Sequence, residues 1–286
     1  MSTATAKKQP PTQGVELKAS DFNIPPCPAI LTKLLRETRS DDPDPRRVSQ
    51  LIGADVALAA SMLNVANSAY YGLRNKATSV QQAVGMLGMN AVSQRVTGLL
   101  LQQAFPAAGG GMERYWKSSM TTALIASLLS RETRVLSPET CHTYALFQNC
   151  GMPVMLKKFP VYADIFNGTA LNHGDLILEL EEERYATSHA KIGAQFAHSW
   201  QLAAALCLAI RYHHDLPTTP ALRARASADT RALVAIGLAS EQIYCVATRA
   251  VCHEWELGGA WALQEIGLSE EEFAGMPARI KGGLTL

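Results

Sequence analysis

The chain of 286 residues is 48% apolar and 18% charged, with a formal net charge of +1. That balance excludes a disordered chain and gives no electrostatic reason to expect a nucleic acid or an anionic membrane surface as partner. The opening MSTATAKKQPPTQG lacks the apolar core of a signal peptide, and the longest apolar run, 202–210, is too short to span a bilayer.

Residues 1–20 are polar and rich in Pro, Gln and Thr, and are expected to form a flexible tail. From Pro28 the pattern turns helical, with Ile30, Leu31, Leu34 and Leu35 on one face. Asp44-Pro45 reads as an N-cap followed by an N1 proline, opening a helix through Val48, Leu51 and Ile52. A third helix starts after Asp55 and carries Leu58, Met62, Leu63 and Ala66 inward. It ends in the polar-aromatic corner Asn67-Ser68-Ala69-Tyr70-Tyr71-Gly72, where short polar side chains compete for backbone bonds. Ser79 caps the next helix, and Val92, Val96, Leu99 and Leu100 continue the periodicity to Phe105. These five helices are read as a first subdomain, 21–105.

Pro106 to Gly111 is the clearest break in the chain and is read as a hinge between subdomains. The second subdomain, 112–286, starts with a long helix over 115–134. Ser137-Pro138 caps a helix to Phe147, and shorter pieces follow at 151–158 and 162–166. The acidic run Glu179, Glu181, Glu182, Glu183 is read as a solvated face. Ser188 caps a helix to Trp200, another covers 202–213, and a single long helix is expected over 228–255. The tail beyond Gly275 carries no clear signal. Nothing alternates as a half-buried strand would, so the fold class is all-α. Six scattered cysteines without a CxxC pair favour reduced thiols in a cytoplasmic protein.

NVANSAYYG followed by SVQQAVGMLGMNAV resembles the signature of the HDOD family, a helical output module of bacterial signal transduction. Pro25-Pro26-Cys27-Pro28 and Asp55-Val56-Ala57-Leu58 also fall where that family has a proline-rich lead-in and an acidic helix start. The resemblance covers roughly 22–214. It implies two helical subdomains packed along one seam, the second similar to an HD phosphohydrolase domain and usually without its activity.

An HD hydrolase holds a divalent metal with histidines and aspartates, and the ion lowers the pKa of its bound water. On this chain the early His of that pattern falls on Ser118, the His-Asp pair on Gln148-Asn149, and the late Asp on Ser240. These neutral oxygen donors replace imidazoles and carboxylates, so the expectation is a degenerate site with no metal and no cofactor. Two family features survive, His189 in His189-Ala-Lys-Ile-Gly193 and His213-His214 after Ile210-Arg211-Tyr212. Helical spacing turns His189 and His213 inward as hydrogen-bonded interior side chains. The alternative is a rebuilt metal site on His189, His213 and Cys150, which would support a divergent phosphohydrolase. A small anion or nucleotide contact there is a third reading.

The corner residues Asn67, Ser68, Tyr71 and Gly72 are read first as a structural anchor and second as an interaction surface. There is no GxSxG, Walker loop or dinucleotide fingerprint. The expectation is a non-catalytic regulatory module that binds a protein partner in trans, or a small ligand, and neither nucleic acid nor membrane. A trans partner is expected because no stretch resembles a receiver, kinase, GGDEF or EAL segment.

Overall fold

The computed structural model describes residues 19–67, 76–106, 110–169 and 174–281. No strand occurs among them. The first five helices are α1 (Ala29–Thr38), α2 (Pro45–Gly53), α3 (Val56–Ala66), α4 (Val80–Leu87) and α5 (Met89–Ala104). Asp44, Asp55 and Ser79 cap α2, α3 and α4, each accepting a backbone N–H of the first turn. Those amides have no partner inside the helix, which is why the capping residue fixes where each one starts.

The chain continues through α6 (Gly110–Thr133), α7 (Pro138–Phe147), α8 (Gly151–Lys158), α9 (Ala163–Thr169), α10 (Gly174–Tyr185), α11 (His189–Ser199), α12 (Ala204–Tyr212) and α13 (Pro220–Arg223). It closes with α14 (Ala228–Thr248), α15 (His253–Ile266) and α16 (Glu270–Lys281). Helix α14 packs against α6, α7, α12 and α15, and its middle is buried on all sides from Leu233 to Ser240. A helix that is apolar around its whole circumference belongs in the centre of a domain.

Two boundaries differ from the sequence expectation. Gly110 and Gly111 belong to the first turn of α6 rather than to a hinge, while 107–109 lie outside the described residues. The expected single helix over 228–255 is two. Helix α14 stops at Thr248, Arg249 takes a left-handed φ of 60°, and Ala250 N–H returns to the Cys245 carbonyl. This is the hydrogen-bonded return that glycine usually provides at a helix end.

The first five helices and the rest of the chain share a seam. Trp200 Nε1 donates to the Pro25 carbonyl at 2.8 Å, and Trp116 Nε1 to that of Phe105 at 3.1 Å. Phe105 meets Phe196 edge to face at 5.5 Å. Each indole pairs its one polar atom with a carbonyl while its ring stays in the core, as a buried tryptophan must.

Of the corner, Asn67 lies among the described residues, whereas Ser68, Tyr71 and Gly72 lie outside them. Asn67 Nδ2 donates to the Ala77 carbonyl at 2.9 Å, and its Oδ1 accepts the Ala77 N–H at 2.7 Å. One side chain thus ties the end of α3 to the lead-in of α4. Asn67→Ala strands both backbone groups of buried Ala77 and is expected to lower stability by about 1–3 kcal/mol, measured by thermal unfolding beside the parent protein. An unchanged melting temperature would remove the anchor role.

Candidate functional site

Close helix crossings bring the site together. An added Cβ at Gly151 would lie 2.0 Å from the His189 carbonyl oxygen and 2.7 Å from Gly193 N. A Cβ at Gly193 would lie 3.2 Å from both Gly151 N and Ile210 Cγ2. The spacing from His189 to Gly193 therefore places an imidazole and a close-contact glycine one turn apart on α11. At Gly237 on α14 a Cβ would lie 2.5 Å from Gln148 Oε1 and 2.7 Å from Tyr144 Cε1. Glycine at 151 and 193 lets α8 and α11 approach to backbone contact, and glycine at 237 leaves room on α14 for the Tyr144 and Gln148 side chains.

His189 opens α11 after Ser188, whose Oγ caps the helix. Its side chain is fully buried, and Nδ1 lies 2.8 Å from Glu181 Oε2. The same carboxylate accepts the His189 backbone N–H at 2.8 Å and the Tyr162 hydroxyl. Glu181 is therefore no part of a solvated face, although Glu179, Glu182 and Glu183 are exposed. Burial alone would raise its pKa. The charge and hydrogen bonds of His189, the Tyr162 hydroxyl and the backbone amide outweigh that and hold it below the usual carboxylate range.

His213 and His214 follow the last turn of α12. His213 Nδ1 faces the Ile210 carbonyl at 2.8 Å, and His214 Nδ1 pairs with Glu254 on α15. The three Nε2 atoms then converge: His189 to His213 at 3.4 Å and His214 to His189 at 3.0 Å. His189 is 0% and His213 3% exposed, and the His214 side chain is 10% exposed. Burial lowers the pKa of both His213 and His214, and repulsion from neighbouring imidazoles adds to it. Both are therefore neutral near pH 7.

The remaining sequence candidates are distributed around this triad. Asn149 Oδ1 lies 3.2 Å from His213 Nε2, and its Nδ2 faces Glu241 Oε1 at 3.4 Å. Gln148 Nε2 donates to that same oxygen at 3.0 Å. Ser240 is buried and donates back to the Ile236 carbonyl of its own helix at 2.6 Å. The carboxylate facing Gln148-Asn149 on α14 is thus Glu241, one residue and about 100° of helix beyond the position expected. Ser118 is partly buried on α6, outside this hydrogen-bonded set. Cys150 Sγ turns to the Gly193 carbonyl at 3.6 Å, so the third atom meeting His189 and His213 is His214 Nε2 and not a thiol.

The HD hydrolase ligand set does not fit these residues. Ser118, Gln148, Asn149 and Ser240 offer neutral oxygens and amides, and the last makes its bond within its own helix. Sequence reasoning missed Glu181, Glu241 and Glu254. Glu181 had a signal, because it stands four residues after buried Ile177 and shares its face of α10.

Burial, followed by the charge of Glu254, pushes the pKa of Glu241 up to about 8, against the opposing amides of Asn149 and Gln148. The folded chain therefore holds this proton more tightly than the unfolded chain, where a Glu titrates near 4.3. Stability from this group is present below that value and is lost as pH rises toward 8. Glu241→Gln is expected to melt above the parent at pH 8, with the advantage shrinking to nothing near pH 4. Parallel melting curves for the two proteins across that range would contradict it.

The HDOD domain family matches residues 24–216. A protein of Treponema pallidum described as uncharacterized is 24% identical over 215 residues, which is 73% of this chain and 42% of that protein. YuxH of Bacillus subtilis is 27% identical over 115 residues, covering 40% of this chain and 28% of its own. The chain thus spans less than half the length of these two relatives. Among solved structures, a Shewanella amazonensis protein described as a candidate phosphohydrolase superposes with a TM-score of 0.69 at 21% identity, over 92% of each chain. A Geobacter sulfurreducens HDOD domain protein of unknown function gives 0.64 at 20%, over 94% of this chain and 97% of that one. A Marinobacter aquaeolei protein described as a candidate signal transduction protein gives 0.70 at 20%, over 94% of this chain and 60% of that one. With the family matched across both halves of the fold, this chain belongs to the HDOD domain family.

Proposed function

We propose that this chain is a non-catalytic regulatory module of a bacterial signalling pathway, acting in trans on a protein partner in the cytoplasm. One observation carries the reading. Where an HD hydrolase needs metal ligands, Gln148 and Asn149 present amides, and both are tied to Glu241. An amide donating to the Glu241 carboxyl group supplies neither a ligand charge nor a free general base. The description of the Marinobacter relative as a signal transduction protein supports the same reading. The six unpaired cysteines agree with a reducing compartment.

A second reading, a divergent phosphohydrolase built on His189 and His213, has one observation in its favour, the convergence of three imidazoles. Against it stands burial. His189 and His213 are 0% and 3% exposed, so a phosphate ester has no approach to their nitrogens. The deciding measurement is hydrolysis of p-nitrophenyl phosphate and of cyclic dinucleotides by the full chain with zinc, manganese or iron supplied. Turnover no faster than in buffer is expected. Metal-dependent turnover that disappears in both His189→Ala and His214→Ala would establish the hydrolase instead.

A further inference from the structure

We propose that Cys245 and Cys252 are a modification site: an oxidant of the hydroperoxide class joins them in a reversible disulfide that ties the end of α14 to the start of α15. The pair stands apart from the histidines and from the regulatory reading.

The turn between the two helices sets up the pair. Helix α14 ends at Thr248, Arg249 takes the left-handed conformation, and Ala250 N–H returns to the Cys245 carbonyl at 2.9 Å. The chain is folded back there, Cys252 becomes the residue that precedes α15, and α15 packs against α14. Across this reversal the two thiols come into hydrogen-bonding contact. Cys27, Cys150 and Cys207 instead turn their sulfurs to backbone carbonyls.

The thiolate is the reactive form of cysteine. The hydrogen bond from Cys252 lowers the Cys245 pKa against burial and the charge of Glu241, and it raises that of Cys252. Burial pushes the Cys141 and Cys150 thiols up with no such partner thiol. The pair therefore loses its first proton more readily than those two and shares the second between its sulfurs. Access is through Cys252. Cys245 is 2% exposed, whereas Cys252 is part-buried between exposed Val251 and His253. With the shared proton on Cys245, the negative charge lies on Cys252, where the N-terminal end of α15 favours it.

The Cys252 thiolate attacks one oxygen of hydrogen peroxide. An S–O bond forms, the O–O bond breaks, and the hydroxide released takes the Cys245 proton and leaves as water. Cys245, now a thiolate, attacks the Cys252 sulfur. The S–S bond forms, the S–O bond breaks, and the departing hydroxide takes from solvent the proton that the pair first gave up. Two thiols are oxidised, one peroxide is reduced, and two waters result. A dithiol reverses the bridge by exchange. Glu241 stands one turn before Cys245 and holds the Gln148 and Asn149 amides, while Glu254 follows Cys252 and pairs with His214. The bridge would thus fix the relative placement of two carboxyl groups that organise the buried site.

The test treats the reduced full chain with hydrogen peroxide, traps the remaining thiols with iodoacetamide and digests without reduction. Trypsin cuts after Arg249, between the two cysteines, so the bridge is read by mass as peptide 232–249 joined to peptide 250–279. The expected result is that joined species, loss of two of the six thiols, and return of both with dithiothreitol. It should form at least about tenfold faster in the folded chain than in the same chain unfolded in urea, because the fold supplies both proximity and thiolate character. Cys252→Ser, a near-isosteric change at a part-buried position whose fold is verified by melting, should give no joined species and leave Cys245 as a thiol. Peroxide that leaves all six thiols intact, or consumes thiols without joining these peptides, would overturn the proposal. Joining no faster in the folded chain than in urea would overturn it too, as adventitious oxidation.

Discussion

Replacing Gly151 by alanine is expected to lower stability by about 3 kcal/mol or more, the upper end of what overpacking costs. At about 2–4 °C per kcal/mol for a chain of this size class, the melting temperature should fall by about 6–12 °C. The added methyl carbon would sit 2.0 Å from the His189 carbonyl oxygen and 2.8 Å from its carbon. Both are backbone atoms, and no rotamer change can move them aside. Helix α8 would have to retreat from α11 by more than an ångström, and the retreat would shift His189 itself. The control is Gly85 on α4, where a Cβ would have nothing within 4 Å. Gly85→Ala is expected to raise stability by about 0.5–1 kcal/mol, because an exposed helix interior favours alanine. Equal melting of Gly151→Ala and the parent would mean that α8 and α11 are not held in this contact.

The contrast between these two glycines shows where the sequence was informative. Helix starts were legible where a single side chain determines them: Asp44, Asp55, Ser79, Ser137 and Ser188 all cap where their residue type implies. Three of the five helices before Phe105 follow from that logic, and α1 and α5, which lack a side-chain cap, from their apolar period. The all-α class follows from an apolar period near 3.6 throughout. Family membership was legible in the corner motif, although most of that corner lies outside the described residues.

What stayed hidden depends on partners distant in the chain. The end of α14 gave no signal, because Arg249 takes the left-handed conformation that sequence reasoning reserves for glycine or asparagine. That one break moves Glu254 from a continuation of α14 to a new helix beside His214. Helix α16, by contrast, carried a signal that was overlooked. Ser269 and Glu272 form a reciprocal capping box, with Phe273, Met276 and Ile280 buried behind it. Gly151 and Gly85 look alike in sequence, and only the approach of α11 separates them. In the site the histidines were read correctly as interior. Their convergence could not be read, because it rests on three carboxyl or carbonyl partners up to 40 residues away.

Glu181 is the partner on which that geometry most depends, and Glu181→Ala is expected to cost about 3–5 kcal/mol. Its side chain is fully buried and takes three donors: the His189 backbone N–H, His189 Nδ1 and the Tyr162 hydroxyl. The backbone donor belongs to the first turn of α11, where no carbonyl of the helix can reach it. Alanine leaves all three donors in the interior with no acceptor, and water cannot replace it without opening the core. Glu181→Gln keeps one acceptor oxygen but turns an NH2 toward donors, so its loss should be smaller, about 1–3 kcal/mol. The order parent, glutamine, alanine in melting temperature is therefore the expected result. A glutamine variant that melts as low as alanine would mean that the charge of the carboxylate, and not its acceptor atoms alone, holds His189 and Tyr162 in place.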